Sequence, residues 1–236
     1  MKEIIKKIPF VVPVYRKVRD FYLFKIKTDS PQEIFTEIYK GNKFGNDESF
    51  SGPGSTLEVT RHIVDELPKL LHKHSIESLL DIPCGDFNWM KTVKFGSIKY
   101  TGADIVEDLI ERNKEKYETE NISFLQLNLI EDKLPKVDAV FCRDCLSHLS
   151  NEHILEALKN IKNSGTKYLI TTTYPECAEN KNILTGQWRK INLEHAPFAL
   201  PKPVDVFYEK YAEGNGENDD KALGVWRVDD IKIVNE

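Results

Sequence analysis

The residues that most constrain how this chain can fold are 78–86, an apolar run that reaches a carboxylate at Asp81 and then turns through Pro83, Cys84 and Gly85. Apolar residues at 79, 80 and 82, with helix-like patterns on both sides, predict a short strand buried in a parallel sheet. In open α/β sheets a ligand binds beyond the carboxyl ends of the strands, and a glycine there lets the backbone approach it closely. Gly85 is therefore the candidate for that close approach.

A second predicted strand, residues 100–105, carries an acid near its end. This acid, Asp104, lies nineteen positions after Gly85 (104 − 85 = 19). A carboxylate in this place can accept hydrogen bonds from ribose hydroxyls. The glycine turn and the acid together predict a nucleoside-binding unit.

At these residues the chain resembles the class I S-adenosylmethionine-dependent methyltransferases, whose first motif is an acid followed by a Gly-rich turn and whose second is an acid ending the next strand. The family's turn usually holds three glycines at alternate positions, and here Pro83 and Phe87 stand in the first and third places. The resemblance implies an α/β fold: a Rossmann-like, doubly wound, seven-stranded sheet in the order 3-2-1-4-5-7-6, with one antiparallel strand in the last pair and an N-terminal helical extension.

The same resemblance implies S-adenosylmethionine as the cofactor and a set of residues that bind it, namely Asp81, Pro83, Gly85, Asp104, Ile105, Asn128, Leu129 and Arg143. Asn128 follows a third predicted strand, where the family commonly places an acid or an amide that contacts adenine. An amide both donates and accepts, which suits the adenine edge. The alternative is an asparagine that only closes a turn.

Longer strings extend the resemblance beyond these motifs. DIPCGDFNWM, with the upstream SGPGS and the downstream GQWRKINLEHAPF, is similar to a bacterial methyltransferase subgroup associated with capsule and surface-polysaccharide biosynthesis. The shared core covers roughly residues 56–236. We therefore expect a basic helical arm with a Gly/Ser-rich lid loop over residues 1–55 and the methyltransferase domain over residues 56–236.

Composition and charge narrow the function classes. With 236 residues and 40% hydrophobic content, the chain can form one substantial domain. The net charge of -5 argues against a general nucleic-acid binder. Residues 1–27 hold eight basic and two acidic residues, while the remaining 25 basic and 36 acidic residues give -11. We expect this basic arm to pack on the protein itself, on a second subunit of an oligomer or on an anionic membrane surface.

The sequence predicts a cytoplasmic protein without a metal. It has neither an apolar run of about 20 residues nor an apolar stretch followed by a signal-peptide cleavage site. Four cysteines without a dense framework fit a reducing compartment. Cys142 and Cys145 form a C-x-x-C pair, but no second Cys or His pair stands at zinc-finger spacing.

Local patterns predict the remaining elements. Residues 56–74 have the spacing of an amphipathic helix, which Pro68 is expected to kink or divide. Residues 89–93 are expected to begin the first crossover helix. Further helices are expected over 106–117 and 151–162, and further strands over 122–127, 138–142, 167–173, 204–211 and 223–228, the last two as an edge hairpin.

The predicted catalytic residues follow from the chemistry of methyl transfer. Transfer from a sulfonium is an in-line displacement, so the protein must align donor and acceptor and, for a hydroxyl acceptor, remove a proton. Asp144 and His148 are four residues apart, so a helical turn over 143–149 would place them on one face. A carboxylate beside an imidazole raises its proton affinity, which suits a base. Alternatively, His148 packs under the next helix and Asp144 pairs with Arg143.

The segment 174–203, rich in Asn, Gly and Pro, is predicted to hang over the same edge of the sheet as a substrate wall. Glu194 is a second candidate acid–base residue, and Arg143 and Arg189 can bind an anionic group of the acceptor. The predicted substrate-binding set is Trp188, Arg189, Asn192 and His195.

The function favoured by these observations is S-adenosylmethionine-dependent O-methylation of a small-molecule or sugar-nucleotide acceptor. An NAD-dependent oxidoreductase is a weaker alternative, because a dinucleotide fingerprint needs more than one glycine at the pyrophosphate. A noncatalytic nucleoside-binding protein stays open as a third reading.

Overall fold

The structure is a computed structural model that describes residues 28–44, 46–210 and 219–233. The predicted arm over residues 1–27 lies outside the described residues. In chain order the elements are α1 (Pro31–Lys40), α2 (Leu57–Lys73), β1 (Ser78–Asp81), β2 (Lys99–Asp104), α3 (Glu107–Tyr117), β3 (Ile122–Gln126), β4 (Ala139–Cys142), α4 (Asn151–Asn163), β5 (Tyr168–Thr173), β6 (Asp205–Tyr208) and β7 (Ala222–Arg227).

The seven strands form one sheet in the order β3-β2-β1-β4-β5-β7-β6. β7 runs antiparallel to both β5 and β6, while the pairs among the first five strands are parallel. The predicted fold class, strand order and edge hairpin are confirmed. The central strands are covered on both faces, which explains why successive residues of β1 and β4 are buried rather than alternate ones.

Two hydrophobic clusters sandwich the sheet, because successive residues of a strand point to opposite faces. Leu80 of β1 packs in one cluster with α4, and Leu79 packs in the other with α2. α2 contributes Ile63, Leu67 and Leu71 to its cluster, all at helical spacing. This doubly wound arrangement leaves the carboxyl edge of the parallel strands open for a site.

The structure corrects two expectations about local structure. Pro68 does not divide α2, which continues through it, and Leu67, Leu70 and Leu71 on either side of the proline pack into the same cluster. The first crossover contains no α-helix, only a short 3₁₀ turn over Met90–Thr92. A left-handed backbone at Phe87 before this segment and at Gly96 after it interrupts the helical conformation.

Among the helices that the structure describes, none combines the length and the apolar character needed to cross a membrane.

Candidate functional site

A cavity lies beyond the carboxyl ends of β1 to β4. Its floor is formed by the residues that follow each strand, namely 81–86, 104–106, 127–130, 143–145 and 148–149. All eight residues predicted to bind the cofactor lie in this floor of the cavity. The strand ends converge because parallel strands present their carboxyl ends at one edge of the sheet.

The turn after β1 has a left-handed backbone at two positions, Gly85 with φ 55° and Phe87 with φ 57°. Phe87 occupies the place where the family has its third glycine, and a bulky residue at positive φ is strained. Its buried ring packs against Tyr100, Tyr117 and Phe124 with centroid distances of 5.2–5.3 Å. Aromatic packing therefore holds a backbone conformation that glycine adopts more easily.

Gly85 is held at both of its backbone polar groups. Its N–H donates to Asp104 Oδ2 at 3.1 Å, and its carbonyl accepts from Asn113 Nδ2 of α3 at 2.7 Å. The position that a side chain would take is also occupied, since a Cβ added to Gly85 would lie 2.0 Å from Ser51 Oγ. From the sequence we expected a glycine here only because a ligand approaches the backbone. The structure adds a second reason, the close packing of an N-terminal loop against Gly85.

Asp104 has the properties expected of a ribose-binding carboxylate. Besides Gly85, the Val106 N–H donates to its Oδ1 at 2.9 Å. The two carboxylate oxygens have four lone pairs, and the backbone N–H groups of Gly85, Val106 and Ile105 do not use all of them, so Asp104 can still accept from a ligand. Burial raises the pKa of Asp104 to about 6, and the backbone hydrogen bonds oppose that rise. The residues at this edge thus fit an adenosyl cofactor.

Two other predicted cofactor residues also have structural partners. Asp81 accepts a hydrogen bond from the Tyr100 hydroxyl at 2.5 Å, and burial raises its pKa to about 8. Asn128 forms a turn, because its Oδ1 accepts from the Ile130 N–H at 3.0 Å and its Nδ2 donates to Glu131 at 3.0 Å. The turn-closing alternative thus describes the side chain, although Asn128 also lines the cavity.

A buried group of charges lies at the end of β4. Arg143 donates twice to Glu209, from Nε at 3.2 Å and from Nη2 at 2.8 Å, and its Nη1 lies 3.2 Å from Asp144. Lys221 Nζ lies 2.6 Å from Asp144 and 3.2 Å from Glu209. Glu209 and Lys221 flank the loop between β6 and β7, and sequence reasoning missed both because their partners are 66 and 77 residues away.

The predicted dyad does not have the expected geometry. Asp144 has φ 55°, and the 3₁₀ helix Leu146–His148 begins only after it, so no helical turn joins Asp144 to His148. Burial by itself raises the pKa of Asp144, but Lys221 and Arg143 outweigh it and bring the pKa to about 2. The alternative pairing with Arg143 is the one found, because two cations next to the carboxylate bind it more strongly.

His148 nevertheless lies in the cavity wall, with its ring centroid 5.1 Å from that of Phe44. Its Nδ1 lies 2.9 Å from the backbone carbonyl of Gln187. A carbonyl only accepts, so Nδ1 carries the hydrogen and, in the neutral imidazole, Nε2 carries the lone pair. This tautomer is the one that a base acting through Nε2 requires.

The structure does not bring the predicted substrate wall to this cavity. Arg189 is buried and donates to the carbonyls of Lys181 and Leu146 and to Asn151, at 2.9–3.1 Å. Asn192 donates to the Pro175 carbonyl. Both side chains donate to protein groups, mostly backbone carbonyls that need donors, and not to the cavity.

The other three residues predicted in that segment also lie outside the cavity. Trp188 packs edge-on against Tyr174, the Glu194 N–H bonds to Asn192, and His195 is exposed. None of the five residues predicted in 174–203 lines the cavity.

The wall opposite the strand ends is formed instead by α1 and the loop after it. Phe35 and Tyr39 of α1 and Phe44 and Phe50 of the loop line the cavity. α1 is held there partly by packing on the segment 174–203, since a Cβ on Gly186 would lie 2.8 Å from Ile34. The apolar side of this helix and the dense SGPGS turn were the available sequence signals, but the family core begins only after them.

In the part of the chain that the structure describes, no three His, Cys, Asp or Glu side chains are arranged to hold a metal ion. Cys142 is buried at the end of β4 and Cys145 is half-buried, and neither is in a disulfide.

Comparison with known proteins agrees with this geometry. A family model described as a methyltransferase domain matches residues 79–164, which run from β1 to the end of α4 and contain all eight predicted cofactor residues. A search of curated protein sequences found no match.

Solved methyltransferase structures share the fold. The structure described as PigF with SAH superposes with a TM-score of 0.61 at 13% identity, covering 95% of this chain and 72% of that one. Two structures of the methyltransferase domain of bacterial CtHen1 give TM-scores of 0.54 and 0.53 at 18% and 17% identity. They cover 73% and 72% of this chain and 98% and 99% of theirs.

At such identities the structural likeness shows the fold, and the matched domain adds the enzyme class. The predicted class of enzyme and its cofactor are thereby confirmed at this level. The chain carries a methyltransferase domain on the class I methyltransferase fold, with S-adenosylmethionine as its cofactor.

Proposed function

We propose that the protein transfers a methyl group from S-adenosylmethionine to a hydroxyl of a small or sugar-linked acceptor. The observation that carries this proposal is that one cavity contains both Asp104, a carboxylate with acceptor positions left for ribose, and His148, an imidazole in the tautomer of a base. Bound S-adenosylmethionine supplies an electrophilic methyl group on its sulfonium.

The residues of the chain have distinct parts in this reaction. Asp104 accepts hydrogen bonds from the ribose hydroxyls, and Ile105 and Leu129 offer apolar contact to the base. The backbone carbonyl of Gln187 keeps the hydrogen on Nδ1 of His148, so that Nε2 takes the proton of the acceptor hydroxyl. Asp144, with a pKa of about 2, is too weak a base for that step, but its charge stabilises the imidazolium that forms.

The biological setting is proposed from the resemblance of DIPCGDFNWM, SGPGS and GQWRKINLEHAPF to capsule-associated methyltransferases. It favours a sugar nucleotide as the acceptor and O-methylation in the cytoplasm, where such precursors are made. In the same proposal, the basic residues 1–27 contact an anionic membrane surface or a second subunit.

The proposal is tested first by binding. Calorimetry should show that the protein binds S-adenosylmethionine and its demethylated product but not NAD. Binding of NAD alone would favour the oxidoreductase alternative. A methyl-release assay over a panel of sugar nucleotides and simple sugars then tests transfer, and binding without any turnover would favour the noncatalytic alternative.

His148→Ala tests the base. We expect turnover at saturating donor to fall by about 10²–10⁴-fold, because a positioned base contributes that much, while affinity for the demethylated cofactor stays within about twofold of wild type, since only the proton acceptor is removed. His72→Ala is the matched control, because His72 is exposed on α2. Unchanged turnover of His148→Ala would remove this residue from the mechanism.

A further inference from the structure

A segment before α2, residues 46–55, is attached to the turn after β1, and we call it the clasp. The Phe50 N–H donates to Asp86 Oδ2 at 2.8 Å, and the Ser49 hydroxyl donates to Asp86 Oδ1 at 2.9 Å. Ser51 Oγ lies 3.4 Å from Asp86 Oδ1 and accepts from the Asp86 N–H at 3.3 Å. One carboxylate in the cofactor turn thus holds three successive residues of the clasp.

The clasp has a second attachment next to the first. Glu48 Oε1 accepts from Asn88 Nδ2 at 3.0 Å and from the Leu57 N–H, the start of α2, at 2.7 Å. The same Asn88 amide donates to the Ser55 carbonyl at 3.2 Å. Because both ends of the clasp are bonded to the turn after β1, its position is set by that turn.

The clasp crosses the cavity from β1 towards β4. Ser51 lies against Gly85 at the end of β1, and a Cβ added at Gly54 would lie 3.3 Å from Asp144 Oδ2 at the end of β4. Asp104 lies at the end of β2, on the other side of β1. Consider a ligand whose ribose is bound by Asp104 and which extends over β1 towards β4. The end of this ligand that lies away from the ribose then contacts the clasp.

Two serines of the clasp line the cavity, Ser51 and Ser55. Ser51 is already bonded to Asp86, whereas Ser55 is 9% exposed and its hydroxyl makes no hydrogen bond to any residue that the structure describes. A hydroxyl is both a donor and an acceptor, so it can bond to a carboxylate or to an ammonium group.

We infer that the clasp forms the wall against the amino-acid end of the cofactor, that Ser55 hydrogen-bonds this α-amino-carboxylate, and that Asp86 is the positioning residue that holds the clasp there. The inference rests on the proposed function, because it needs the adenosyl cofactor in this cavity. It assigns a cofactor role to residues that precede the family core.

The experiment compares two ligands by calorimetry. S-adenosylhomocysteine contains the amino-acid end, and methylthioadenosine has the same nucleoside and sulfur but lacks that end. For Ser55→Ala and Asp86→Ala we expect binding of S-adenosylhomocysteine to weaken by about tenfold, as for loss of a hydrogen bond to a charged group. Binding of methylthioadenosine should change by less than about twofold, because it makes no contact with the clasp.

Ser97→Ala and Asp65→Ala are the matched controls, because both residues are exposed and lie outside the clasp and the turn after β1. They should leave both affinities unchanged. If Ser55→Ala weakens both ligands equally, or neither, the inference is overturned while the proposed function stands. If the wild-type protein binds neither ligand, the proposed function fails and the inference fails with it. Should Asp86→Ala not fold, Ser55→Ala by itself still decides the outcome.

Discussion

Replacing Asp81 by Asn tests whether the cofactor edge of the sheet makes folding depend on pH. Asp81 is 3% exposed, and the charge of Arg143 lowers its pKa less than burial raises it. Burial raises the pKa from 3.8 to about 8, although the Tyr100 hydroxyl opposes this. Such a carboxyl group is stable in the fold while protonated and costly once ionised.

The sign and the size follow from proton linkage. In the unfolded chain Asp81 ionises near 3.8, so between that pH and about 8 the folded state keeps a proton that the unfolded state has lost. The free energy of unfolding then falls by about 1.4 kcal/mol per pH unit. From pH 5 to pH 7 this amounts to about 3 kcal/mol from Asp81, and Asp104 adds about 1 kcal/mol up to its own pKa. Asp144, with its lowered pKa, keeps its contribution throughout this range.

Asn cannot ionise, and its amide oxygen still accepts from Tyr100. We therefore expect the free energy of unfolding of Asp81→Asn, relative to wild type, to rise by about 3 kcal/mol between pH 5 and pH 7. With an m-value of about 2.5 kcal/mol/M, the difference between their urea midpoints widens by about 1 M. Tryptophan fluorescence during urea unfolding without cofactor measures it.

The control is Asp65→Asn, which removes an exposed carboxyl group on α2. Its urea midpoint should equal that of wild type at each pH. If the midpoints of Asp81→Asn and wild type stay a constant distance apart from pH 5 to pH 7, Asp81 is ionised in the fold. The argument from burial would then be wrong.

Two further variants test packing away from the cofactor turn. Glu209→Gln removes one of the two carboxylates that pair with Arg143 and Lys221. The free energy of unfolding, measured in urea, should therefore fall by about 3–5 kcal/mol. A fall below about 1 kcal/mol would mean that water reaches the cluster. Gly224→Ala should cost about 1–3 kcal/mol, because its Cβ would lie 2.3 Å from the Trp226 ring. A urea midpoint equal to that of wild type would show that the ring moves aside at no cost.

The fold could be predicted well from local patterns. The apolar run before Asp81, the sharp turn at Gly85 and the acid at Asp104 are short-range features, and strand periodicity with turn chemistry identified them. The sheet order came from the family resemblance to these same motifs. The errors, a possible division of α2 at Pro68 and a helix in the first crossover, arose where the tertiary structure outweighed local preference.

The sequence by itself therefore determined the individual strands, the turn after the first of them and the acid that ends the second, because each of these depends on residues within a few positions of one another. Only the tertiary structure decided what surrounds them: Asp86 holds Ser49 across 37 residues, and Arg143 pairs with Glu209 across 66. Nothing in the spacing of two such residues indicates that they meet. Their contact depends on how helices and loops pack over the sheet, and that packing set the wall of the cavity and the charge state of Asp144.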